Sequence, residues 1–480
     1  MSTAPSTPTT AAGHEELRVY GRGSLQEIFG DFVIYRNFEP LDDSLPRLKV
    51  ALRETGLSSE EKPRKQDPEY ARLAIWYLRE AQKVRGAGQP LSELIFIGDT
   101  LFNDGNAYRN MLRESGWSGS CFICSENLAQ APQTAVEEDG LYRSNRWAAL
   151  GDWVRWMRDE LGLHLDERTA VVVDIDKTAL GAKGRNDKVI DQARIRGAYR
   201  TMSNILGANF DGAQFENIYN ELNQEKYHTL TKDNQDYLAY MCLVISTGLL
   251  ELDEVSQQVA SGALADFEQF IRLVEMRSII SPVGGEVLRQ SHDAVVTSVR
   301  NGDPTPFKRF RRQEFISTIE SMGALGDDAA VEELLAREIT LTEEVVELSA
   351  WLKARGSLLM CLSDKPDEAS CPHRHVSPDL PPVHEAKTHR VGTPAFRMCS
   401  TRLMRPCRPR AAAWTMSTRL GSDNGCISSA EISLPPRVCS PISAVVLRMT
   451  RAAPAASGHR SGRAGQGNPT YRELGPVLVY

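Results

Sequence analysis

The chain of 480 residues has no long hydrophobic run, and no stretch approaches the roughly 18 consecutive apolar residues that a membrane-spanning helix requires. We therefore expect no membrane association. The N-terminal stretch MSTAPSTPTTAAG lacks the charged-then-apolar pattern of a secretory signal, which predicts a cytoplasmic protein. The nine cysteines are odd in number and scattered, so we predict free thiols and no disulfide framework.

Lysine is absent from residues 391–480, which contain 12 Arg and three acids, Asp423, Glu431 and Glu473. That segment has a net charge of +9. Because the net charge of the whole chain is −7, the preceding residues have a net charge of −16. An acidic body argues against general nucleic-acid binding. The end of the chain is rich in Arg, Pro, Ser and Ala without helical or strand periodicity, which predicts a disordered tail or one read from a shifted frame.

The length predicts two to four domains, and the hydrophobic content of 41% is typical of a globular protein. Residues 1–14 are rich in Ser, Thr, Pro and Ala and offer almost nothing to bury, which predicts disorder. From about residue 15 to 150 we predict an α/β segment, with a strand at Phe32–Tyr35 and a helix at Leu45–Leu57.

The most informative stretch is VVVDIDKTAL, Val171 to Leu180. An unbroken Val run that stops at two Asp residues predicts a buried parallel strand that ends in a polar corner. Side chains two apart on an extended segment point the same way, so Asp174 and Asp176 crowd one pocket unless a cation or a phosphoryl group lies there. The same alternation predicts that Lys177 points away from this pocket.

Asp174, Asp176 and Thr178 resemble motif I of the haloacid dehalogenase superfamily, which has two Asp separated by one residue and then a Thr after another. The resemblance implies a Mg²⁺-dependent phosphohydrolase that acts on a small phosphorylated substrate through an aspartyl-phosphate. Asp174 would be the nucleophile and a metal ligand, and Asp176 would serve as acid, base and metal ligand. Thr178 would bind phosphoryl oxygens. The second Asp favours a phosphatase over a dehalogenase.

An earlier segment, GDTLFNDG at Gly98 to Gly105, follows an apolar strand at Leu94–Ile97 and resembles motif IV of the same superfamily. Asp99 and Asp104 would help to hold the metal, and Lys62 or Lys65 would supply the motif III lysine that binds phosphate. This unit precedes motif I, which reverses the family order. A permuted core, two related domains in tandem and a simple polar turn remain as alternative interpretations.

Residues 182–340 show helical periodicity without a strand pattern. The resemblance implies that this is a helical cap, since capped members of the superfamily place one between motifs I and II. Within it lies the cluster Phe307–Arg312, whose sequence is FKRFRR. We interpret it as a solvated helix face with two inward Phe residues, with a patch that recognises an anionic end of the substrate as an alternative.

A predicted helix at Thr340–Arg355, capped by Thr342, leads into a strand at Ser357–Leu362 and then Ser363. The superfamily's motif II is a strand that ends in Ser or Thr, so Ser363 would bind phosphoryl oxygens and take part in catalysis. Lys365 is the basic residue that follows Ser363 most closely in the sequence, and the resemblance implies a catalytic role for it. Beyond it the expected motifs III and IV are missing, because only Lys387 remains among the lysines.

The predicted fold is α/β, with a Rossmann-like parallel sheet core, a large inserted helical cap and an N-terminal α/β segment. The predicted ranges are 1–14 disordered, 15–150 α/β, 151–181 and 341–395 core, 182–340 cap, and 396–480 tail. The lone pair Cys121 and Cys124 is interpreted as core thiols. The alternative function is a catalytically impaired phosphate-binding or interaction protein with the same fold.

Overall fold

The short apolar runs of the sequence form strands. The computed structural model describes residues 16–30, 32–58, 63–280 and 285–393, so the predicted disordered start and tail lie outside the described residues. Its strands are β1 (Arg18–Gly23), β2 (Val33–Ile34), β3 (Glu93–Gly98), β4 (Ser118–Cys124), β5 (Thr134–Val136), β6 (Leu141–Ser144), β7 (Thr169–Val173), β8 (Leu341–Thr342), β9 (Leu358–Leu362) and β10 (Thr388–Gly392).

Helices fill most of the remaining described chain and are concentrated between β7 and β8. They are α1 (Leu25–Phe29), α2 (Leu48–Thr55), α3 (Pro68–Val84), α4 (Asn106–Ser115), α5 (Leu150–Asp159), α6 (Asp187–Leu206), α7 (Gly212–Leu222), α8 (His228–Thr231), α9 (Gln235–Ser246), α10 (Leu252–Ala260), α11 (Phe267–Ile280), α12 (Gly285–Arg300), α13 (Lys308–Glu320), α14 (Val331–Arg337) and α15 (Glu343–Ala354). None of the described helices is long and apolar enough to cross a membrane.

The predicted α/β class is confirmed by a mostly parallel sheet of seven strands in the order β2, β9, β7, β3, β4, β6, β5. Only β5 runs antiparallel to its neighbour. Ile97 of β3 pairs with Val173 of β7, which pairs with Cys361 of β9. Because parallel neighbours end at the same edge, this register brings the loops after β3, β7 and β9 together.

Successive side chains of each central strand enter opposite cores, as the pleat requires. Val171 and Val173 pack on one face beneath α1, α5 and α15, whereas Ala170 and Val172 pack on the other beneath α3 and α4. Both faces are covered, which explains the unbroken Val run. Cys121 and Cys124 lie three apart on β4 and are buried in opposite cores, as expected of core thiols.

The helices α6 to α14, here called the helical segment, follow the sheet's central strand β7 in the chain. Helices α6 to α13 enclose a hydrophobic core of their own, which contains Phe215, Tyr240, Phe267 and Phe310. Lys308 of α13 forms an ion pair of 2.7 Å with Glu368, which lies in the turn after β9. This pair joins the helical segment to the carboxyl edge of the sheet.

Several predicted boundaries shift by a few residues. The Phe32–Tyr35 strand shortens to β2, and the Leu45–Leu57 helix shortens to α2, which ends at Gly56 in the left-handed conformation. Thr342 precedes α15, but its side chain makes no capping hydrogen bond. Its hydroxyl instead donates to the carbonyl of Thr178, because β8 extends the chain beside the motif I loop.

A buried ion-pair network fixes the loop that follows motif I. Arg185 lies 2.7 Å from Glu126, two residues after β4, and 2.9 Å from Glu344 of α15. The side chains of all three residues are at most 3% exposed. Glu344 also accepts a hydrogen bond from the backbone N–H of Thr393. One guanidinium thus holds together three separate parts of the chain.

We predict that Arg185→Leu lowers the free energy of unfolding by about 3–5 kcal/mol, because two carboxylates lose their buried partner. The control Arg337→Leu removes an ion pair whose arginine side chain is 64% exposed, and it should cost at most about 1 kcal/mol. Urea unfolding of both variants measures the difference. Equal losses would contradict the assigned importance of the network.

Candidate active site

Three carboxylates meet at the carboxyl edge of the sheet. Asp174 directly follows β7, and Asp99 and Asp104 lie in the loop after the neighbouring strand β3. One carboxylate oxygen from each residue lies within 4.8 Å of the other two. Asp104 and Asp174 are 1% and 5% exposed. The earlier acidic loop and motif I therefore form one cluster.

This geometry agrees with the interpretation in which Asp99 and Asp104 complete the pocket of Asp174. The alternative of two tandem domains is wrong, because β3 and β7 are adjacent strands of one sheet. The polar-turn alternative gives this loop no partner in motif I, whereas Lys65 pairs with both Asp104 and Asp174.

The loop after β3 holds Asp104 through its own backbone. A π-helical turn at Leu101–Gly105 returns Asp104 toward the strand end, where one of its oxygens accepts hydrogen bonds from the N–H groups of Asp99 and Thr100. A Cβ at Gly98 would lie 2.4 Å from the Asp104 Cβ, so only glycine fits there. The spacing Gly-Asp-x₄-Asp thus has a local steric cause.

Lys65 is the cation of the cluster. It lies just before α3, and its Nζ is 2.7 Å from Asp104 Oδ1 and 2.5 Å from Asp174 Oδ1. Burial disfavours the charged amine, but Asp104 and Asp174 outweigh that cost and raise the pKa of Lys65 well above its usual value. Lys65 therefore stays protonated between the two carboxylates. Lys62 lies outside the described residues.

The cluster holds more negative charge than Lys65 neutralises. Burial raises the pKa of Asp174 well above its usual value, and Asp104 and Asp99 raise it further. Burial and the neighbouring Asp104 also raise the pKa of Asp99 to about 6, although Lys183 lies 3.0 Å away. Ionising three crowded carboxylates, two of them buried, is unfavourable without a cation beyond Lys65 and Lys183.

The donor set fits a hard divalent cation, because carboxylate oxygens are the ligands that Mg²⁺ and Ca²⁺ prefer. Asp99, Asp104 and Asp174 are the residues that would hold it. They form the single group of three or more potential ligands within the described part of the chain. Asp176 lies outside this group.

The remaining predicted residues divide between the cleft and the core. Asp176, Ser363 and Lys365 line a cleft of about 530 Å³ together with the cluster. Lys365 Nζ lies 3.1 Å from Asp176 Oδ2. The Ser363 Oγ accepts the backbone N–H of Lys365 at 3.2 Å. Loops after three parallel strands thus contribute to one cleft.

Thr178 does not line the cleft. It is fully buried, and its hydroxyl has no hydrogen-bond partner among the described residues. Lys177, predicted to point away, lines the cleft and forms an ion pair with Asp191 of α6. That prediction is wrong because Lys177 has φ of 63°. Alternation applies only to an extended backbone.

The helical segment contributes charged side chains to the cleft, and of these Arg311 belongs to the cluster for which an anion-recognising patch is the alternative interpretation. Arg194 of α6 lies 3.1 Å from Glu314 of α13 and 4.0 Å from Asp176. Arg311 of the FKRFRR cluster is 7% exposed and pairs with Asp236 and Glu314. The prediction of a solvated face is therefore wrong for Arg311, because its buried carboxylate partners compensate its charge.

Comparisons of the chain with protein-family models, with curated proteins and with solved structures found no match. The resemblance to the haloacid dehalogenase superfamily therefore stays a prediction that rests on the quoted motifs.

We predict that Asp174→Asn stabilises the metal-free protein, because it removes a buried carboxylate whose ionisation at neutral pH opposes folding. Mg²⁺ should stabilise the wild type by about 2.7 kcal/mol at 100 times its Kd, and should have little effect on the variant. Thermal unfolding with and without Mg²⁺ measures both effects. Asp253→Asn, an exposed change on α10, is the control and should behave like the wild type. Equal Mg²⁺ effects in all three proteins would contradict the assigned site.

Proposed function

We propose that the chain is a Mg²⁺-dependent phosphohydrolase of the haloacid dehalogenase type. The observation that carries the proposal is the meeting of Asp99, Asp104 and Asp174 within 4.8 Å at the ends of adjacent parallel strands. Lys65 and Lys365 add cations on the same cleft. Carboxylates beside a cation site and lysines are the groups that phosphoryl transfer requires.

Asp174 is the proposed nucleophile. One of its carboxylate oxygens attacks the phosphorus, the bond from phosphorus to the substrate oxygen breaks, and the phosphoryl group is transferred to Asp174. Water then attacks the phosphorus of this aspartyl-phosphate, which releases inorganic phosphate and regenerates the carboxylate. Mg²⁺ held by Asp99, Asp104 and Asp174 would neutralise negative charge between the carboxylates and the phosphate.

Asp176 is the proposed general acid and base. It gives a proton to the departing substrate oxygen and afterwards takes one from the attacking water. Lys365, 3.1 Å from Asp176 Oδ2, fixes the side chain in the cleft. Arg194, at 4.0 Å, approaches the same carboxylate from the helical segment. Asp176 is therefore approached by Lys365 from the edge of the sheet and by Arg194 from the helical segment.

The phosphoryl oxygens are assigned to Lys65 and Ser363. Lys65 Nζ lies 2.5 Å from Asp174 Oδ1, so a phosphoryl group carried by Asp174 would be close to this cation. Ser363 lies at the end of β9 in the wall of the cleft, and its hydroxyl can donate. The buried position of Thr178 argues against the phosphate contact predicted for it.

The helical segment is proposed to act as a cap over this edge of the sheet. Arg194, Arg311 and Glu314 line the cleft from helices α6 and α13. A cap excludes water from the reacting groups and strengthens their electrostatic interactions. A small phosphorylated substrate, a cytoplasmic location and no nucleic-acid partner complete the proposal.

A catalytically impaired phosphate-binding protein is the second candidate. Two observations favour it: Thr178 is withdrawn from the cleft, and Lys65 forms ion pairs with the proposed nucleophile. Such a protein would bind Mg²⁺ and phosphate without turnover.

We predict that the purified chain hydrolyses a generic aryl phosphate only with Mg²⁺. Asp174→Asn should lower kcat by at least about 10³-fold, and Ser363→Ala should lower it by about 10- to 100-fold. Each substitution removes a group that acts on the transferred phosphoryl group. Colorimetric release of the aryl alcohol measures the rates. The control Asp253→Asn should match the wild type.

Two results separate the candidates. Mg²⁺-dependent binding of inorganic phosphate without hydrolysis would favour the impaired phosphate-binding protein. Hydrolysis that persists in Asp174→Asn would contradict the assigned nucleophile.

A further inference from the structure

The cleft contains more cations than its own carboxylates engage. Five of the eight cationic side chains that line it form ion pairs with described carboxylates: Lys65, Lys177, Arg194, Arg311 and Lys365. The other three are the half-buried Arg36 and the exposed Arg64 and Lys232, for which no ion pair with a described residue is found. A charged side chain that faces a cleft without a partner is available to a ligand.

Arg36 is the most constrained of the three. It follows β2, and its backbone N–H donates to the carbonyl of Lys365 at 3.2 Å, two residues after the proposed phosphate ligand Ser363. Its side-chain Nε is buried without a hydrogen-bond partner. Burial lowers the pKa of Arg36, and the nearby Asp364 only partly offsets this. This guanidinium N–H is free to donate to an anionic group of a ligand that enters the cleft.

Lys232 reaches the cleft from the helical segment on a strained turn. Lys232 and Asp233 follow α8 with φ of 49° and 55°, a left-handed conformation that favours glycine. Asn234 fixes this turn, because its Nδ2 donates to the carbonyl of Pro304 at 2.8 Å and its Oδ1 accepts the N–H of Asp236. Strain held by surrounding contacts is common where a side chain is positioned for binding.

We propose that Arg36, Arg64 and Lys232 bind a second anionic group of the substrate. The substrate class is then a small phosphomonoester that also carries a carboxylate or a second phosphate. Asp233 and Asp364 line the same cleft. The three cations outnumber these two carboxylates, so the five side chains together are positively charged. This inference rests on the proposed phosphohydrolase function and adds the chemistry of its substrate.

The test compares matched pairs of substrates in the presence of Mg²⁺. Glycerol 3-phosphate and 3-phosphoglycerate differ by a carboxylate, and 3-hydroxypropyl phosphate and propane-1,3-diol bisphosphate differ by a phosphate. The wild type should show a kcat/KM at least about tenfold higher for the member with the second anion. Which pair shows the larger ratio identifies the carboxylate or the phosphate as the natural group.

Arg36→Gln and Lys232→Gly should each reduce this ratio by about tenfold, because each removes one charge-assisted hydrogen bond to the second anion. Lys232→Gly suits the left-handed turn, so it should fold at least as stably as the wild type and separates binding from stability. Arg289→Gln changes an exposed arginine of α12 and should leave the ratio unchanged.

Hydrolysis of both members of each pair with equal kcat/KM would overturn the second-anion site and leave the proposed function intact. If no phosphate ester is hydrolysed, the proposed function fails. Calorimetric titration of Asp176→Asn with 3-phosphoglycerate and glycerol 3-phosphate then measures the anion site directly. Tighter binding of 3-phosphoglycerate that Arg36→Gln abolishes would support the site, and equal binding would overturn it.

Discussion

The crowding of Asp99, Asp104 and Asp174, of which the last two are buried, is the constraint on which the rest of the cleft depends. Lys65 lies between Asp104 and Asp174 at hydrogen-bond distance from both, and it neutralises only part of their charge. A folded protein tolerates such an arrangement when an additional cation or a reacting group uses it. The proposed metal site and the proposed phosphoryl transfer both follow from this single imbalance.

Parallel pairing of β3 with β7 creates the crowding. The register of Ile97 with Val173 aligns the two strand ends, and the π-helical turn after β3 returns Asp104 to the same point. The buried Arg185 network then fixes the loop that leads from motif I into the helical segment. The β3–β7 pairing, the π-helical turn and the Arg185 network therefore together hold the like charges close to one another.

The sequence predicted those parts of the site that depend on local pattern. A Val run that ends in Asp-x-Asp indicates a buried strand and its acidic end, and the strands before Asp99 and Ser363 were predicted for the same reason. Which strands are neighbours is a long-range property, so three interpretations of the Asp99 loop remained open. Adjacent pairing in the sheet contradicts the tandem-domain interpretation and brings the Asp99 loop close to Asp174.

Other features could not be predicted because they depend on backbone conformation or on distant partners. Lys177 turns into the cleft through a positive φ, which no alternation pattern indicates. Arg311 belongs to a basic cluster whose sequence predicts a solvated helix face. The carboxylate of Asp236, 75 residues earlier, makes the burial of Arg311 favourable. Arg36 belongs to no sequence motif that would indicate a site. Only the structure reveals that its Nε is buried without a hydrogen-bond partner beside the cleft.

The most direct test of the account is the chemical identity of the nucleophile. The chain is mixed with an aryl phosphate and Mg²⁺, quenched in acid and reduced with borohydride, which converts an aspartyl-phosphate to homoserine. Peptide mass spectrometry then locates the modified residue. The account predicts homoserine at position 174 and at no other aspartate. Release of phosphate with Asp174 unmodified would contradict it.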